Sequence, residues 1–254
     1  MDAIRAEHLK KTFGSVSAVD DVHLSVKEGE IFGFLGPNGA GKTTTIRLLT
    51  GVLTPDAGTV QINGIDIHRH PLDAKMQMGV IPENSTVYGD LSAEQNLQLS
   101  GKMYGMPRAL REKRINEILL RLGLSDKRRN LVRTFSKGMK QRVSIACAII
   151  HRPHVLFLDE PTSGLDLTAT FHYLDLVRAN IRKGKTLLLV THHIHEIPPE
   201  VKRVVLLKQG KILQDGEKRS VLTEANLSRL FDCPVALAQA NGWYQALPGH
   251  STPH

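Results

Sequence analysis

Residues 36–44, Gly36-Pro37-Asn38-Gly39-Ala40-Gly41-Lys42-Thr43-Thr44, place glycines, a lysine and two hydroxyls in the spacing G-x-x-x-x-G-K-[ST]. Those residue types at that spacing suit the holding of a polyphosphate. Glycines at 36, 39 and 41 permit backbone conformations that bulkier residues forbid, so successive N–H groups can turn inward on phosphate oxygens. A helix starting at Lys42 adds its N-terminal amides and dipole to the same anion. Lys42 is expected to reach the β- and γ-phosphates, and Thr43 to give a hydroxyl to Mg²⁺. A nucleoside triphosphate is the expected ligand.

Further along, the apolar run Val155-Leu156-Phe157-Leu158 ends in two acids, Asp159 and Glu160. An aspartate at the tip of a buried strand can hold the Mg²⁺ shell. Glu160 is then placed to polarise an attacking water as general base. A second apolar run, Leu187 to Val190, leads into Thr191-His192-His193-Ile194-His195-Glu196. Three histidines and an acid invite a metal reading, but adjacent residues after a strand diverge, and the 192/195 spacing needs a helical turn. One histidine at the sheet edge, His192, touching the γ-phosphate and the water, fits better.

These residues need a scaffold that brings strand ends together. Ile4 to Leu9 and Val22 to Val26 alternate apolar with polar residues, and Ile31-Phe32-Gly33-Phe34-Leu35 is apolar on both faces, as a covered central strand should be. A helix from Lys42 to about Thr50 and a strand–turn unit at Thr59–Gly64 follow. From Ser92 to about Arg152 the pattern is helical, opened by the capping-box spacing of Ser92-Ala93-Glu94-Gln95. Leu110, Arg114, Ile118 and Leu122 share one expected face, and Met139, Val143, Ala146 and Ile150 another. Strands at Val155–Leu158, Thr186–Val190 and Arg203–Leu207, with a helix over Thr168–Arg182, predict a parallel sheet. Beyond Gly216 one helix (Glu224–Phe231) and a hairpin around Asn241-Gly242 are expected, with Trp243 and Tyr244 packing it. The basic run Lys127-Arg128-Arg129 is read as a solvated loop.

Composition narrows the class. A chain of 254 residues with 41% hydrophobic and 23% charged residues can bury an ample core, which argues against a largely disordered protein. Two cysteines are too few for a disulfide framework or a four-cysteine zinc site. The first residues have no signal-peptide core and no apolar run reaches bilayer length, so a cytoplasmic location is expected. The net charge of +8 admits nucleic acid or anionic lipid as partners, but 5% aromatic residues leave few platforms for stacked bases.

Together these motifs resemble the nucleotide-binding subunit of ABC transporters, over roughly residues 1–216 and in the family's order. The resemblance implies an α/β fold: a P-loop NTPase core with a parallel sheet, an N-terminal antiparallel β subdomain and a helical insertion at about 86–152. Residues 217–254 form a short C-terminal extension. By the same resemblance Phe13 stacks on adenine, and residues 36–44 and 155–160 are the Walker A and Walker B segments. Phe135-Ser136-Lys137-Gly138-Met139 is similar to the signature motif, usually Leu-Ser-Gly-Gly-Gln, and keeps Ser136 and Gly138. Ser163-Gly164-Leu165-Asp166 resembles the D-loop, and His192 the switch histidine. Glu83 stands where the Q-loop often has glutamine, and either side chain offers an oxygen to Mg²⁺. Both variants resemble a branch rich in exporters of drugs, lipids and polysaccharides.

What the resemblance implies is an ATPase working as a pair. The signature of one copy caps ATP held by the other copy's phosphate loop, closure follows ATP binding, and hydrolysis at Glu160 reopens the dimer. The helical insertion passes the motion to a transmembrane permease, which places the chain at the inner face of the membrane. No nucleic-acid partner is expected, because the tandem cassettes, coiled coil or zinc modules of such ATPases are absent from the sequence. A GTPase would carry an Asn-Lys-x-Asp motif, a P-loop kinase would not need residues 136–142, and a module that no longer hydrolyses would not keep both Glu160 and His192.

Overall fold

The computed structural model describes residues 1–83, 86–160, 170 and 184–249. Ser163–Asp166 and, Thr170 apart, the helix expected over 168–182 lie outside the described residues.

Two long strands open the chain, β1 (Asp2–Phe13) and β2 (Val16–Lys27), joined by a tight turn. With β4 (Ala57–Ile62) and the short β5 (Ile65–Asp66) they form an antiparallel sheet in the order β2-β1-β4-β5. Its alternating burial leaves one face on the core, where Ile4, Leu9, Val19, Val26, Val60 and Ile62 are fully buried.

A six-stranded sheet lies beneath, in the order β10-β9-β3-β8-β7-β6. Its members are β3 (Ile31–Leu35), β6 (Met78–Ile81), β7 (Val155–Asp159), β8 (Thr186–Thr191), β9 (Arg203–Lys208) and β10 (Lys211–Glu217). All pairings are parallel except that of β10 with β9. Every residue of β7 and β8 is buried, which explains their unbroken apolar runs. Phe32, Phe34 and Phe157 are fully buried, each contributing about 1.5–3 kcal/mol. Because β3, β6, β7 and β8 run in parallel, residues just past their C-terminal ends gather along one edge. That edge is where ligands bind in open α/β sheets.

Helix α1 (Lys42–Leu49) follows β3, and α2 (Pro71–Met76) precedes β6. Between β6 and β7 come α3 (Ala93–Met103), α4 (Arg108–Arg121) and α5 (Lys137–Ile149), which share a core of their own including Leu97, Ile115, Ile118, Val132 and Val143. The capping box at Ser92 forms as its spacing predicts: Gln95 N donates to Ser92 Oγ at 3.1 Å, and Ser92 N to Gln95 Oε1 at 2.8 Å. Such a cap stabilises a helix start by about 1 kcal/mol.

The expected face of α4 needs correction. Leu110 is 44% exposed, and the buried residues are Arg111, Arg114, Ile115, Ile118 and Leu119. Residues four apart drift by about 40° around a 3.6-residue helix, so the row through Leu110 begins outside the buried stripe that Arg114 and Ile118 join. Arg111 takes the inward place by donating to Gln98 Oε1 and to the Met106 carbonyl. Arg128 also departs from a purely solvated loop, making a bidentate pair with Glu94 at 3.1 and 2.6 Å.

The chain closes with α6 (Lys218–Val221), α7 (Glu224–Phe231) and a hairpin of β11 (Val235–Ala240) and β12 (Trp243–Pro248). Tyr244 is buried among Leu206, Leu227 and Leu230. Beside it the buried Lys218 ammonium donates to the carbonyls of Ile197, Pro198 and Gly242, tying the hairpin to the segment after β8.

Candidate functional site

Residues 36–41 connect β3 to α1 in a tight arch. Gly41 adopts a φ of +97°, and a Cβ there would lie 2.2 Å from the Ala18 carbonyl oxygen of β2. Gly36 is equally hemmed in, since its Cβ would meet the Leu207 carbonyl oxygen at 2.4 Å. The arch is braced by Ala40 N donating to Pro37 O, and by Gly210 N donating to Ala40 O at 2.9 Å. The sequence therefore needs glycine at both positions because neighbouring strands press against the loop.

Lys42 begins α1 and is 6% exposed. Its ammonium donates to the carbonyls of Gly36 (2.9 Å) and Pro37 (3.1 Å), and lies 3.4 Å from Glu160 Oε1. Thr43, Thr44, Asn38, Gly39 and Gly41 join Lys42 in lining a cavity of roughly 450 Å³. Glu83, beyond β6, Glu160, beyond β7, and His192, beyond β8, face the same cavity. The remaining walls are Val16, Ser17 and Ala18 from the start of β2, and Gln209 from the β9–β10 turn.

Glu160 sits in the left-handed region at φ 46°, an uncommon conformation for a non-glycine residue. Its amide donates to Val190 O at 2.9 Å, and its Oε2 accepts from the His192 amide at 3.2 Å. His192 Nδ1 stands 2.7 Å from the same oxygen. An ionised carboxylate only accepts, so opposite one Nδ1 is the donor of this contact and Nε2 is directed elsewhere. Thr191 holds this segment by donating to the Glu196 carboxylate and accepting from the His193 amide at 2.9 Å. Residues Ile194–Glu196 do form a 3₁₀ turn, yet among the described residues those histidines assemble no cluster of three ligand atoms.

Asp159 closes β7 and is 8% exposed. Burial first, then the charges of Glu160 and Glu83, push its carboxyl up to about 6. Its Oδ1 is buried without a hydrogen-bond partner among the described residues. An orphaned oxygen in an acidic, desolvated corner fits a hard divalent cation such as Mg²⁺.

Three expected site residues, Phe13, Ser136 and Gly138, stand apart from the cavity. Phe13, 49% exposed, pairs with Val16 across the β1–β2 turn, and of the two Val16 reaches the cavity wall. Ser136 caps α5, accepting from Met139 N at 3.3 Å, and it and Gly138 lie on the helical region outside the cavity. Asp166 lies outside the described residues. Gln209, at φ 49°, is a wall residue that no motif marks. The only local sign is the Gln209-Gly210 turn between two apolar strands.

The family model for ABC transporters matches residues 19–163. The linearmycin resistance ATP-binding protein LnrL of Bacillus subtilis is 36% identical over 215 residues, covering 85% of this chain and 69% of that protein. The Nod factor export ATP-binding protein I of Ralstonia nicotianae is 38% identical over 220 residues, covering 87% and 68%. Among solved structures, an ATP-binding subunit of an ABC transporter superposes with a TM-score of 0.81 at 31% identity, covering 91% of this chain and 98% of that one. A dimeric ATP-binding cassette in a post-hydrolysis state with ADP and Pi superposes at 0.76 with 25% identity, over 84% and 98%. The fold is that of a P-loop ATPase cassette. The chain belongs to the ABC transporter family, as its ATP-binding, ATP-hydrolysing subunit.

Proposed function

We propose that this chain energises export of a substrate through a separate membrane permease, working as one of two ATPase subunits that clamp ATP between them. The observation that carries this reading is the convergence of Lys42, Glu83, Glu160 and His192 on one cavity at the C-terminal edge of the parallel sheet. In it, residues 36–44 hold the phosphates, with Lys42 turning from its loop carbonyls to the β- and γ-oxygens. Thr43, Asp159 and Glu83 hold Mg²⁺, which spreads the charge that develops on the phosphates. Glu160 draws a proton from the attacking water, while His192, with Nδ1 bonded to Glu160, keeps Nε2 free for the water or the γ-phosphate side.

A second copy enters this reading because Ser136 and Gly138 do not line their own chain's cavity. In the pair, the α5 N-terminus of one copy closes over the ATP of the other, its small residues allowing a close approach to the γ-phosphate. Asp166 and Phe13 complete the nucleotide contacts in this reading. ATP drives closure through its higher affinity for the closed pair. The dimeric relative with ADP and Pi and the relative named for Nod factor export support the pairing and the direction.

The permease meets the cassette beside the root of α3. There a groove of roughly 280 Å³, lined by Val80, Val87, Leu99 and Cys147 among others, opens between exposed Tyr88 and Met103 and adjoins the strand that leads to Glu83. Through the permease the chain sits at the inner face of the membrane. Among the described residues no helix is long and apolar enough to cross one. The test is transport: membrane vesicles carrying the chain and its permease should move substrate only with ATP, and Lys42→Ala should abolish it. Transport that survives Lys42→Ala would refute the proposal.

A further inference from the structure

On the outer face of the β1–β2 ribbon, away from the cavity, His8, Asp21 and His23 point at one another. His8 Nδ1 lies 2.9 Å from Asp21 Oδ1, and His23 Nε2 lies 3.5 Å from the same oxygen. The two imidazoles meet edge to face with centroids 4.0 Å apart. One ligand atom from each residue falls within 4.8 Å of the other two.

The backbone places them there by an unusual route. Between the pairs Ala6↔Leu24 and Leu9↔Val22, Glu7 and His8 on β1 oppose the single residue His23. Between Leu9↔Val22 and Lys11↔Val19, Asp20 and Asp21 on β2 oppose the single Lys10. Two bulges on opposite strands thus flank one buried pair. The extra residues His8 and Asp21 both adopt left-handed conformations, at φ 51° and 60°. Bulges re-aim side chains, and here they turn three ligands to one point above Leu9 and Val22.

We propose that His8 Nδ1, Asp21 Oδ1 and His23 Nε2 form a surface site for one late transition-metal dication of the Zn²⁺ class, clipping β1 to β2. Two imidazoles and one carboxylate suit Zn²⁺, Cu²⁺ or Ni²⁺ and not the hard ion of the nucleotide cavity. Tetrahedral ligands about 2.0–2.1 Å from zinc lie about 3.4 Å apart, so the 3.5 Å separation already fits, the 2.9 Å contact opens by a few tenths, and the two imidazole nitrogens, within 4.8 Å of each other, draw together. Water completes the shell, since all three side chains are exposed. Lys10, whose charge reaches Asp21, is held by Asp20 at 3.8 Å. The ribbon ends in the turn that leads to Val16 and Ser17, so the clip stiffens one wall of the cavity without touching its chemistry.

The test uses the full chain, freed of metal and nucleotide, titrated with ZnCl₂ against a chromophoric chelator. Long-range ¹H–¹⁵N spectra of the imidazoles follow the same titration. We expect one tight Zn²⁺ per chain, with metal-induced shifts at Nδ1 of His8 and Nε2 of His23. His23→Gln and Asp21→Asn should each weaken that equivalent at least tenfold and leave basal Mg-ATP hydrolysis unchanged. Unaltered zinc affinity in both variants would overturn the proposal. So would shifts confined to His192, His193 and His195.

Discussion

Glu160 and His192, 32 residues apart in sequence, share a 2.7 Å contact between a carboxylate oxygen and Nδ1 at the ends of adjacent parallel strands. The Glu160 amide donates to Val190 O, and the His192 amide donates back to the Glu160 side chain. The pair is therefore fixed by the β7–β8 register and not by a flexible loop. A carboxylate held in this register faces the cavity in which an attacking water would stand once Lys42 turns to the phosphates.

Replacing Glu160 by Gln keeps the shape of the pair and removes the proposed base. Hydrolysis should fall about 10²–10⁴-fold, the range of a general base, while ATP affinity is kept. Steady-state ATPase and nucleotide-binding titrations on one preparation check this.

Gly41→Ala probes the phosphate loop without altering its charge. A Cβ 2.2 Å from the Ala18 carbonyl, at a φ of +97°, forces the loop or β2 to shift. ATP binding should weaken more than tenfold while the far-ultraviolet circular dichroism stays near that of the parent. Equal ATP affinity would show that the arch tolerates the displacement.

Asp159 gives a pH signature. Its carboxyl is raised from 3.8 to about 6, mainly by burial, so above that pH the folded protein carries a charge that the unfolded chain holds at lower cost. The penalty is full above about 6 and fades as the pH falls toward 3.8, on the order of 3 kcal/mol at most. Asp159→Asn should accordingly raise the Tm of the nucleotide-free protein at pH 7.5. The gain over the parent should shrink toward pH 4. The same change should weaken Mg²⁺-dependent ATP binding, and a variant neither more stable nor weaker in binding would contradict the assigned role.

Much of this was legible from residues adjacent in sequence. The phosphate loop, the acids after β7 and His192 each follow a recognisable strand, and a parallel sheet brings strand ends together without further information. Glu83 became a candidate only through family resemblance, because nothing local distinguishes it from any acid after a strand. Gln209 was invisible for a related reason: its place in the cavity follows from β9 lying beside β3, a non-local pairing. The left-handed backbone of Glu160 has no sequence mark either, since the residue is not glycine. Leu110 falls outside the buried face because a spacing of four drifts by about 40° per step, so a row of four such residues does not stay on one stripe. His8, Asp21 and His23 converge through two bulges that an alternating pattern conceals.

The groove between Tyr88 and Met103 is the proposed permease contact, apart from the cavity that holds Glu160. Tyr88→Ala with Met103→Ala should leave basal ATP hydrolysis within about twofold, since neither side chain lines the nucleotide cavity. Co-purification with the permease should drop clearly. Undiminished capture would place the permease contact elsewhere.

In the proposed mechanism two copies of the chain hold ATP between them, and Glu160 is the base that reopens them. Light scattering after size exclusion on the Glu160→Gln protein, with and without Mg-ATP, tests it most directly. The account expects the 28.1 kDa species to double in mass with Mg-ATP and to remain single without it. Ser136→Arg in the same background should prevent the doubling. A Glu160→Gln protein that binds ATP yet stays at the mass of one chain would contradict the account.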